Sequence, residues 1–316
     1  MRFPFSVRRG RTRRLCALMA ASAGLLLFTA LPAKATFLGV NGKIAFSTDQ
    51  GSDPQVFVVN PDGSGEKQVT KEADGHAEQP AWSRDGSKII FSGDQTGNWQ
   101  IYEMSATGSG RTQLLSDPGF DDSNARFSPD DSEIAFTRCG PVNCAINLVK
   151  ADGTGPLMQL TSSIWNAFNP DWSPDGTKVA FDSNQDGLLS AVWVMDANGG
   201  TQQRLTAPAL EAFKPDWSPD GKHIIFNDLC CRFGSNEWVM NPDGSGQKQL
   251  THFPTKHQGG FGIYSPDGKK IVLIADLAYK DNCCGDLYTM NADGTHMTKI
   301  VSDQPGVFFS DWGTSP

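Results

Sequence analysis

Long apolar runs, helical periodicity and catalytic signatures are missing from most of this 316-residue chain. After residue 35, no apolar stretch approaches the roughly 20 residues that a membrane-spanning helix needs, so that part is not expected to cross a membrane. No segment beyond residue 35 shows the 3.6-residue spacing of apolar positions that indicates an amphipathic helix. A Gly-x-Ser-x-Gly nucleophile motif is also absent there, which argues against a serine hydrolase.

The first 35 residues have a composition of their own. Five arginines between residues 8 and 14 precede an apolar run from Leu15 to Leu31, which is followed by Ala33-Lys34-Ala35. The basic start, the apolar centre and the small-x-small end predict a secretory signal peptide over residues 1–35, cleaved after Ala35. An uncleaved membrane anchor is the alternative, because the run is nearly long enough to span a bilayer.

Basic residues are scarce once this segment is set aside. Residues 1–35 contain six Arg, one Lys and no acidic residue, so their removal takes the formal net charge from -8 to about −15. Nucleic acid and anionic lipid repel a chain of this charge, and we expect neither as a partner.

Six cysteines follow the predicted signal peptide, and an even count in an exported protein favours disulfides. Cys139 and Cys144 bracket four residues and can close the base of a hairpin loop. The doublets Cys230-Cys231 and Cys283-Cys284 fall in equivalent loops of neighbouring repeats, so they either bridge those repeats or form vicinal rings. A four-thiolate zinc site is the alternative, although adjacent cysteines lack the usual ligand spacing.

One sequence pattern recurs along the chain at intervals of 45 to 48 residues. Each copy contains an aromatic residue, a Ser-Pro-Asp-Gly turn, a short apolar strand, a second strand and an Asn-Pro-Asp-Gly-type turn. Pro, Asp and Gly suit tight turns, and four antiparallel strands per repeat of about 45 residues are typical of a β-propeller blade. The repeats lie near residues 41–71, 76–116, 121–161, 166–206, 211–251 and 258–301, with a closing strand at 306–314.

The two ends of the chain determine the predicted number of blades. The first copy starts near Asn41 and lacks the innermost strand, whereas the last copy, ending near Trp312, has that strand alone. Joined, they complete one sheet and remove the free edges that an open array would leave. Residues 36–316 are therefore predicted to form one all-β domain. It is a six-bladed β-propeller of four-stranded antiparallel blades, in which the N- and C-terminal strands share one blade.

The Trp-Ser-Pro-Asp-Gly segments at 172–176 and 217–221, with Asn-Pro-Asp-Gly-Ser-Gly at 60–65 and 241–246, resemble the WD-like repeats of the TolB family of bacterial propellers. The resemblance covers roughly residues 41–314. TolB is periplasmic, and its propeller binds a peptidoglycan-associated lipoprotein and colicins, so the resemblance implies an exported, protein-binding propeller. TolB carries an α/β domain before its propeller, and the few residues between the predicted cleavage site and the first strand indicate that this domain is lacking.

Polar residues that differ between copies are the candidates for binding, because the innermost strand of each blade lines the central channel. At the position six residues before the aromatic residue of each repeat, five of the six copies carry a polar residue, and its type differs between copies. This variation predicts a recognition site. An ordinary solvated loop is the alternative, since loops are often polar. The candidate partner-binding residues at the channel mouth are His76, Asp121, Asp122, Asn166, Glu211, His257 and Gln258. The candidate channel residues, deeper by half a strand, are Gln79, Asn124, Asn169, Lys214, Phe261 and Phe309.

The sequence thus predicts a non-enzymatic, exported and monomeric propeller that binds a protein or peptide of the cell envelope or exterior at one face of its channel. No cofactor is expected, although the acidic mouth residues would attract a divalent cation such as calcium. The alternative function is a metal-assisted polysaccharide lyase or hydrolase, because similar repeats occur in some sugar-acid lyases. In that case His76, Asp121, Glu211 and His257 would converge at the mouth.

Overall fold

The computed structural model describes residues 39–49, 53–71, 75–187, 189–208, 210–228, 235–254, 258–277, 285–301 and 306–315. Within these ranges the regular elements are β-strands, and no helix there is long and apolar enough to cross a membrane. The predicted signal peptide and the two cysteine doublets lie outside the described residues.

The strands form six four-stranded antiparallel sheets. The first sheet, from the innermost strand outward, is β24 (Val307–Thr314), β1 (Asn41–Thr48), β2 (Gln55–Val59) and β3 (Lys67–Gln68). The second is β4 (Ala77–Trp82), β5 (Lys88–Gly93), β6 (Gln100–Ser105) and β7 (Thr112–Gln113), and the third is β8 (Asp121–Phe127), β9 (Glu133–Cys139), β10 (Cys144–Lys150) and β11 (Met158–Gln159). The fourth is β12 (Ala167–Trp172), β13 (Lys178–Ser183), β14 (Ala191–Asp196) and β15 (Gln203–Arg204). The fifth is β16 (Ala212–Trp217), β17 (Ile224–Asp228), β18 (Glu237–Met240) and β19 (Lys248–Gln249), and the sixth is β20 (Gln258–Tyr264), β21 (Lys270–Asp276), β22 (Asp286–Asn291) and β23 (Thr298–Val301).

The chain ends close the ring as predicted. β24 pairs with β1, placing Ile44 opposite Trp312, so the last strand completes the first blade. The indole of Trp312 donates to the carbonyl of Gly42 at 3.3 Å, and the Thr314 hydroxyl donates to the carbonyl of Arg84 in the second blade at 2.6 Å. The six-bladed propeller with one shared blade is therefore confirmed.

The second strand of each blade supplies the core between the sheets. These strands are continuous apolar runs, as is typical of strands buried on both faces, and neighbouring blades cover them on both sides. In five blades the same position carries a phenylalanine that is essentially inaccessible to solvent: Phe46, Phe91, Phe136, Phe181 and Phe226. In contrast, five of the six outermost strands contain only two residues, which limits the exposed sheet edge.

The Ser-Pro-Asp-Gly turns are held by their own side chains. In the fourth blade, Asp175 accepts hydrogen bonds from the Ser173 hydroxyl at 2.7 Å and from the backbone N–H of Thr177 at 3.0 Å. Gly176 has a φ of 71°, a conformation that side chains disfavour. The carboxylate of Asp175 therefore stabilises its own turn through hydrogen bonds.

A disulfide joins Cys139 and Cys144 across the end of the β9–β10 hairpin, where the two residues are opposite each other in the register. The predicted closure of this loop is thus confirmed.

Candidate binding site at the channel and its mouth

The innermost strands run from one face of the ring to the other. We call the face on which they begin the mouth face; it carries the loops between the second and third strands and the connections between blades. The opposite face, which carries the Ser-Pro-Asp-Gly turns, is the far face. Candidate residues occur at the mouth, in the middle of the channel and near the far face.

At the mouth, three candidate residues contact the preceding blade. Asp121 accepts a hydrogen bond from the backbone N–H of Trp99 at 3.0 Å, and Asn166 accepts one from the N–H of Cys144 at 3.1 Å. The imidazole of His76 lies 2.9 Å from Asp53 of the first blade and 2.9 Å from Asp94 of its own. These side chains therefore join neighbouring blades.

The other mouth candidates have different surroundings. Asp122 is fully buried and pairs with Arg138 through two contacts of 2.7 Å. Burial raises the pKa of Asp122, although Arg138 opposes that shift. Glu211 is partly buried, and the backbone of Gln258 pairs with Asp276. His257 lies outside the described residues, so the mouth remains a predicted site.

The collar (Gln79, Asn124, Asn169, Lys214, Phe261 and Phe309) is the next layer of the channel. Its first five members have positive φ values between 47° and 60°, at bulges where the innermost strand shifts register against the second strand. A left-handed residue is uncommon outside glycine, and its recurrence in five blades marks a feature of the repeat. Collar residues line a cavity of about 20 Å³ at the channel centre.

One side of the collar is aromatic and holds a lysine. The rings of Phe261 and Phe309 stack with centroids 6.1 Å apart. The ammonium of Lys214 lies 4.7 Å and 4.9 Å from those two centroids. Burial and the nearby Arg126 lower the pKa of Lys214 to about 7, against the opposing effect of carboxylates.

Carboxylates near the far face form a cluster that sequence reasoning missed. Asp171, Asp216 and Asp311 each stand directly before the aromatic residue of an innermost strand, and each accepts the N–H of the aromatic residue in the next blade, at 2.7 to 2.9 Å. Arg126 occupies the same position of the third blade and lies 2.9 Å from Asp311. The recurring Asp-Trp pairs in the sequence could have indicated this cluster, because they place an aspartate at the same position of three blades. With one guanidinium for three carboxylates, the cluster has an excess of acid groups.

The far cavity, of about 150 Å³, is lined by this cluster and by the aromatic residues that mark the repeats. Burial raises the pKa of Asp171 to about 6, although Arg126 opposes the shift. Burial and the charge of Asp171 together raise the pKa of Asp216. In the described part of the chain, no three His, Cys, Asp or Glu side chains are grouped so that they could hold a metal ion.

Large apolar side chains are concentrated on the mouth face of the third and fourth blades. We call this group the mouth patch, and its members are exposed by 36% to 85%: Phe120, Val142, Ile164, Trp165 and Leu189. They account for five of the eight large apolar side chains that are exposed among the described residues. Single exposed apolar residues are common, whereas a group of them indicates an interaction surface.

Contacts between loops support the mouth patch from beneath. The Asn143 amide donates to the carbonyl of Ile164 at 3.0 Å and so ties the disulfide loop to the connection between the blades. A Cβ placed on Gly140 would lie 3.3 Å from the Phe120 ring, and the guanidinium of Arg138 lies 5.0 Å from the centroid of that ring. The loops that carry the patch are therefore held to one another before any partner binds.

This closed ring of four-stranded blades, with a narrow polar channel, is the architecture of a TolB-type propeller. The model of the TolB β-propeller domain family matches residues 33–166 and 109–315, and the chain belongs to that family. TolB from Acinetobacter baumannii is similar in structure, with 23% identity and a TM-score of 0.72 over 86% of this chain and 66% of the other. This chain thus corresponds to just under two thirds of that protein's length.

Two further structures show the breadth of the fold. A protein from Agrobacterium tumefaciens assigned as a TolB has 22% identity and a TM-score of 0.67 over 85% of this chain and 90% of its own. An oligogalacturonate lyase in complex with manganese has 16% identity and a TM-score of 0.51 over 83% of this chain and 74% of its own. At these identities the likeness concerns the fold alone. No curated protein matches the chain.

Proposed function

We infer that this protein is an exported, monomeric propeller that binds a protein or peptide partner of the cell envelope or exterior through its mouth face. The mouth patch is the observation that carries this inference. Exposed Ile164 and Trp165 can enter a partner's surface, and tryptophan is a frequent energetic centre of protein interfaces. Membership of the TolB family supports a protein-binding role.

The partner would be apolar at the patch and basic around it. The predicted mature chain carries a formal net charge of about −15, since removal of six Arg and one Lys changes the −8 of the whole sequence. Opposite charge accelerates association and excludes acidic competitors. The mouth candidates Asp121 and Glu211 would contribute to this recognition.

Capture from an envelope extract tests the docking face. The purified protein and its Ile164→Ser/Trp165→Ser variant are immobilised, and the retained proteins are quantified by mass spectrometry. Burial of these side chains in an interface predicts more than tenfold less of the specific partner on the variant, by the usual cost of truncating an interface centre of about 2 kcal/mol. Leu157→Ser/Met158→Ser is the matched control, because those exposed apolar residues lie on the outer side of the third blade. Equal loss with both variants, or no loss with either, contradicts the proposed docking face.

Export is tested separately. The full-length chain is expressed with a C-terminal tag, the cells are fractionated, and the N-terminus of the exported protein is sequenced. The signal-peptide prediction requires a first residue of Thr36. An intact N-terminus in the membrane fraction would instead support the anchor.

The metal-assisted lyase or hydrolase is not proposed. His76 is held between two aspartates that belong to separate blades, and His257 lies outside the described residues. The lyase structure shares the fold with this chain, and no arrangement of described residues favours its reaction over protein binding.

A further inference from the structure

Lys214 is the basic residue of the collar, where the equivalent positions of other blades carry amides or phenylalanines. Its residue exposure is 6%, and it lines the central cavity. The ammonium lies over the faces of Phe261 and Phe309, and its three N–H donors make no hydrogen bond or ion pair with any described residue. Aromatic faces attract a cation but accept no conventional hydrogen bond from it, so its donors remain available.

The lining of the central cavity contains two basic side chains and no acidic one. Lys214 and Arg126 both belong to it, whereas no aspartate or glutamate does. The carboxylates that interact electrostatically with Lys214 are Asp182, Asp216, Asp311 and Glu237, and none of them lines the cavity. Arg126 is already paired with Asp311, whereas the Lys214 ammonium makes no direct ion pair with a described residue. A buried charge without a partner is costly, so an anion in this space would be stabilised.

Amide groups of the collar add a second donor. The Gln79 side-chain oxygen accepts hydrogen bonds from the Ser92 hydroxyl at 2.8 Å and from the N–H of Asn124 at 3.0 Å. Its amide nitrogen then makes no hydrogen bond with a described residue, and Gln79 lines the same cavity. The volume of about 20 Å³ admits a group little larger than one water molecule. This small volume favours a small anionic group over a sugar or a phosphate ester.

From this geometry we propose that the collar is a carboxylate-binding site, in which the Lys214 ammonium and the Gln79 amide nitrogen bind one carboxylate at the channel centre. The carboxylate comes either from a small free acid or from an acidic side chain that a partner inserts into the channel. The site is separate from the mouth patch, so each proposal can fail without the other.

Nuclear magnetic resonance of the whole purified protein, labelled with 13C at lysine, tests the site directly. The Lys214 Cε signal is assigned by its loss in Lys214→Met, a substitution of similar shape without charge. Sodium acetate is the first probe, and acetyl-Gly-Gly-Asp-Gly-Gly-amide is the second, with the Asn version of that peptide as its control. Sodium chloride at equal ionic strength controls for non-specific screening. Lys178, a half-exposed residue that pairs with Asp196 at 3.1 Å, is the matched lysine.

The proposal predicts a saturable shift of the Lys214 signal that Lys178 does not show, and at least tenfold weaker binding in Lys214→Met. Binding should also weaken by at least about tenfold between pH 6 and pH 8, because Lys214, with a pKa of about 7, loses its proton in that interval. The neighbouring Asp182 and Glu237, whose pKa values burial raises to about 7 and about 8, become more negatively charged over the same range and act in the same direction. Saturation by acetate identifies a free carboxylate as sufficient. Saturation by the Asp peptide alone, with the Asn peptide inactive, identifies a carboxylate presented by a partner. An equal response to chloride, a Lys178 response of the same size, or binding that survives in Lys214→Met overturns the site.

Discussion

Replacing Glu237 with glutamine is expected to stabilise the protein increasingly as the pH rises. Glu237 begins the third strand of the fifth blade and donates its backbone N–H to Thr251, as Val56 and Val192 do to the corresponding threonines of their blades. It is therefore a carboxylic acid at a position that is apolar in those blades. One of its oxygens accepts the N–H of Gly262 at 2.7 Å, while the other has no hydrogen-bond partner among the described residues.

The magnitude follows from the proton that this side chain retains. Burial raises the pKa of Glu237 from its ordinary value of 4.5 to about 8, against the opposing hydrogen bond from Gly262. Between these two values the folded protein binds more protons than the unfolded chain, so the free energy of unfolding falls as pH rises, by about 1.4 kcal/mol per pH unit. Integrated from pH 5 to pH 7, the wild type loses about 2.5 kcal/mol through this group. Glutamine keeps the acceptor for Gly262 but has no proton to lose.

Guanidinium unfolding of the wild type and Glu237→Gln at pH 5, 6, 7 and 8 measures the effect. The difference between the two proteins should grow by about 2.5 kcal/mol between pH 5 and pH 7, whatever its value at pH 5. Other buried acids such as Asp182, whose pKa burial raises to about 7, act equally in both proteins and cancel. Glu103→Gln is the control, because Glu103 pairs with exposed Lys88 and its removal should change the difference by less than about 0.5 kcal/mol. Parallel pH profiles for the wild type and Glu237→Gln would refute the reasoning.

Three further changes test the packing and the charge cluster by the same unfolding assay. Gly262→Ala places a Cβ 2.9 Å from the Glu237 carboxyl carbon and should cost about 1–3 kcal/mol, but clearly less in a Glu237→Ala background; equal costs would contradict the contact. Arg126→Met leaves three carboxylates without their cation and should cost about 3–5 kcal/mol at pH 7. Because Arg126 lowers the pKa of Asp171, its removal raises that pKa above about 6, and stability should recover as the pH falls and the carboxylates take up protons; a loss independent of pH would point to packing alone. Cys144→Ser opens a loop of sequence separation 5 and should cost about 2 kcal/mol, a loss that reduction of the wild type should reproduce.

Features that depend on a few consecutive residues could be predicted from the sequence. The Ser-Pro-Asp-Gly turns form where their backbone preferences place them, and Asp175 bonds the N–H two residues ahead as that turn requires. The Cys139–Cys144 disulfide closes over a short loop, so sequence distance alone brought its partners together. The recurring 45-residue interval and the incomplete copies at the two ends were sufficient to predict the closure by β24.

Contacts between blades could not be predicted in the same way. The mouth residues Asp121 and Asn166 were predicted as a recognition layer, and the structure shows them bonded to the preceding blade. The hydrogen bond from the Gly262 N–H to Glu237 joins residues 25 positions apart, and the sequence around either residue does not indicate it. Each of these contacts depends on how one sheet faces the next.

The amino-acid sequence by itself determined the blade, the number of blades and the way the ring closes, because turn geometry and strand patterning act within one repeat. The tertiary structure alone decided which charges meet in the channel. Arg126 and Asp311 are 185 positions apart, yet ring closure brings them to 2.9 Å and excludes most of the water around them. The same exclusion of water lowers the pKa of Lys214 to about 7, since a pKa depends on solvent and neighbouring charge more than on local sequence.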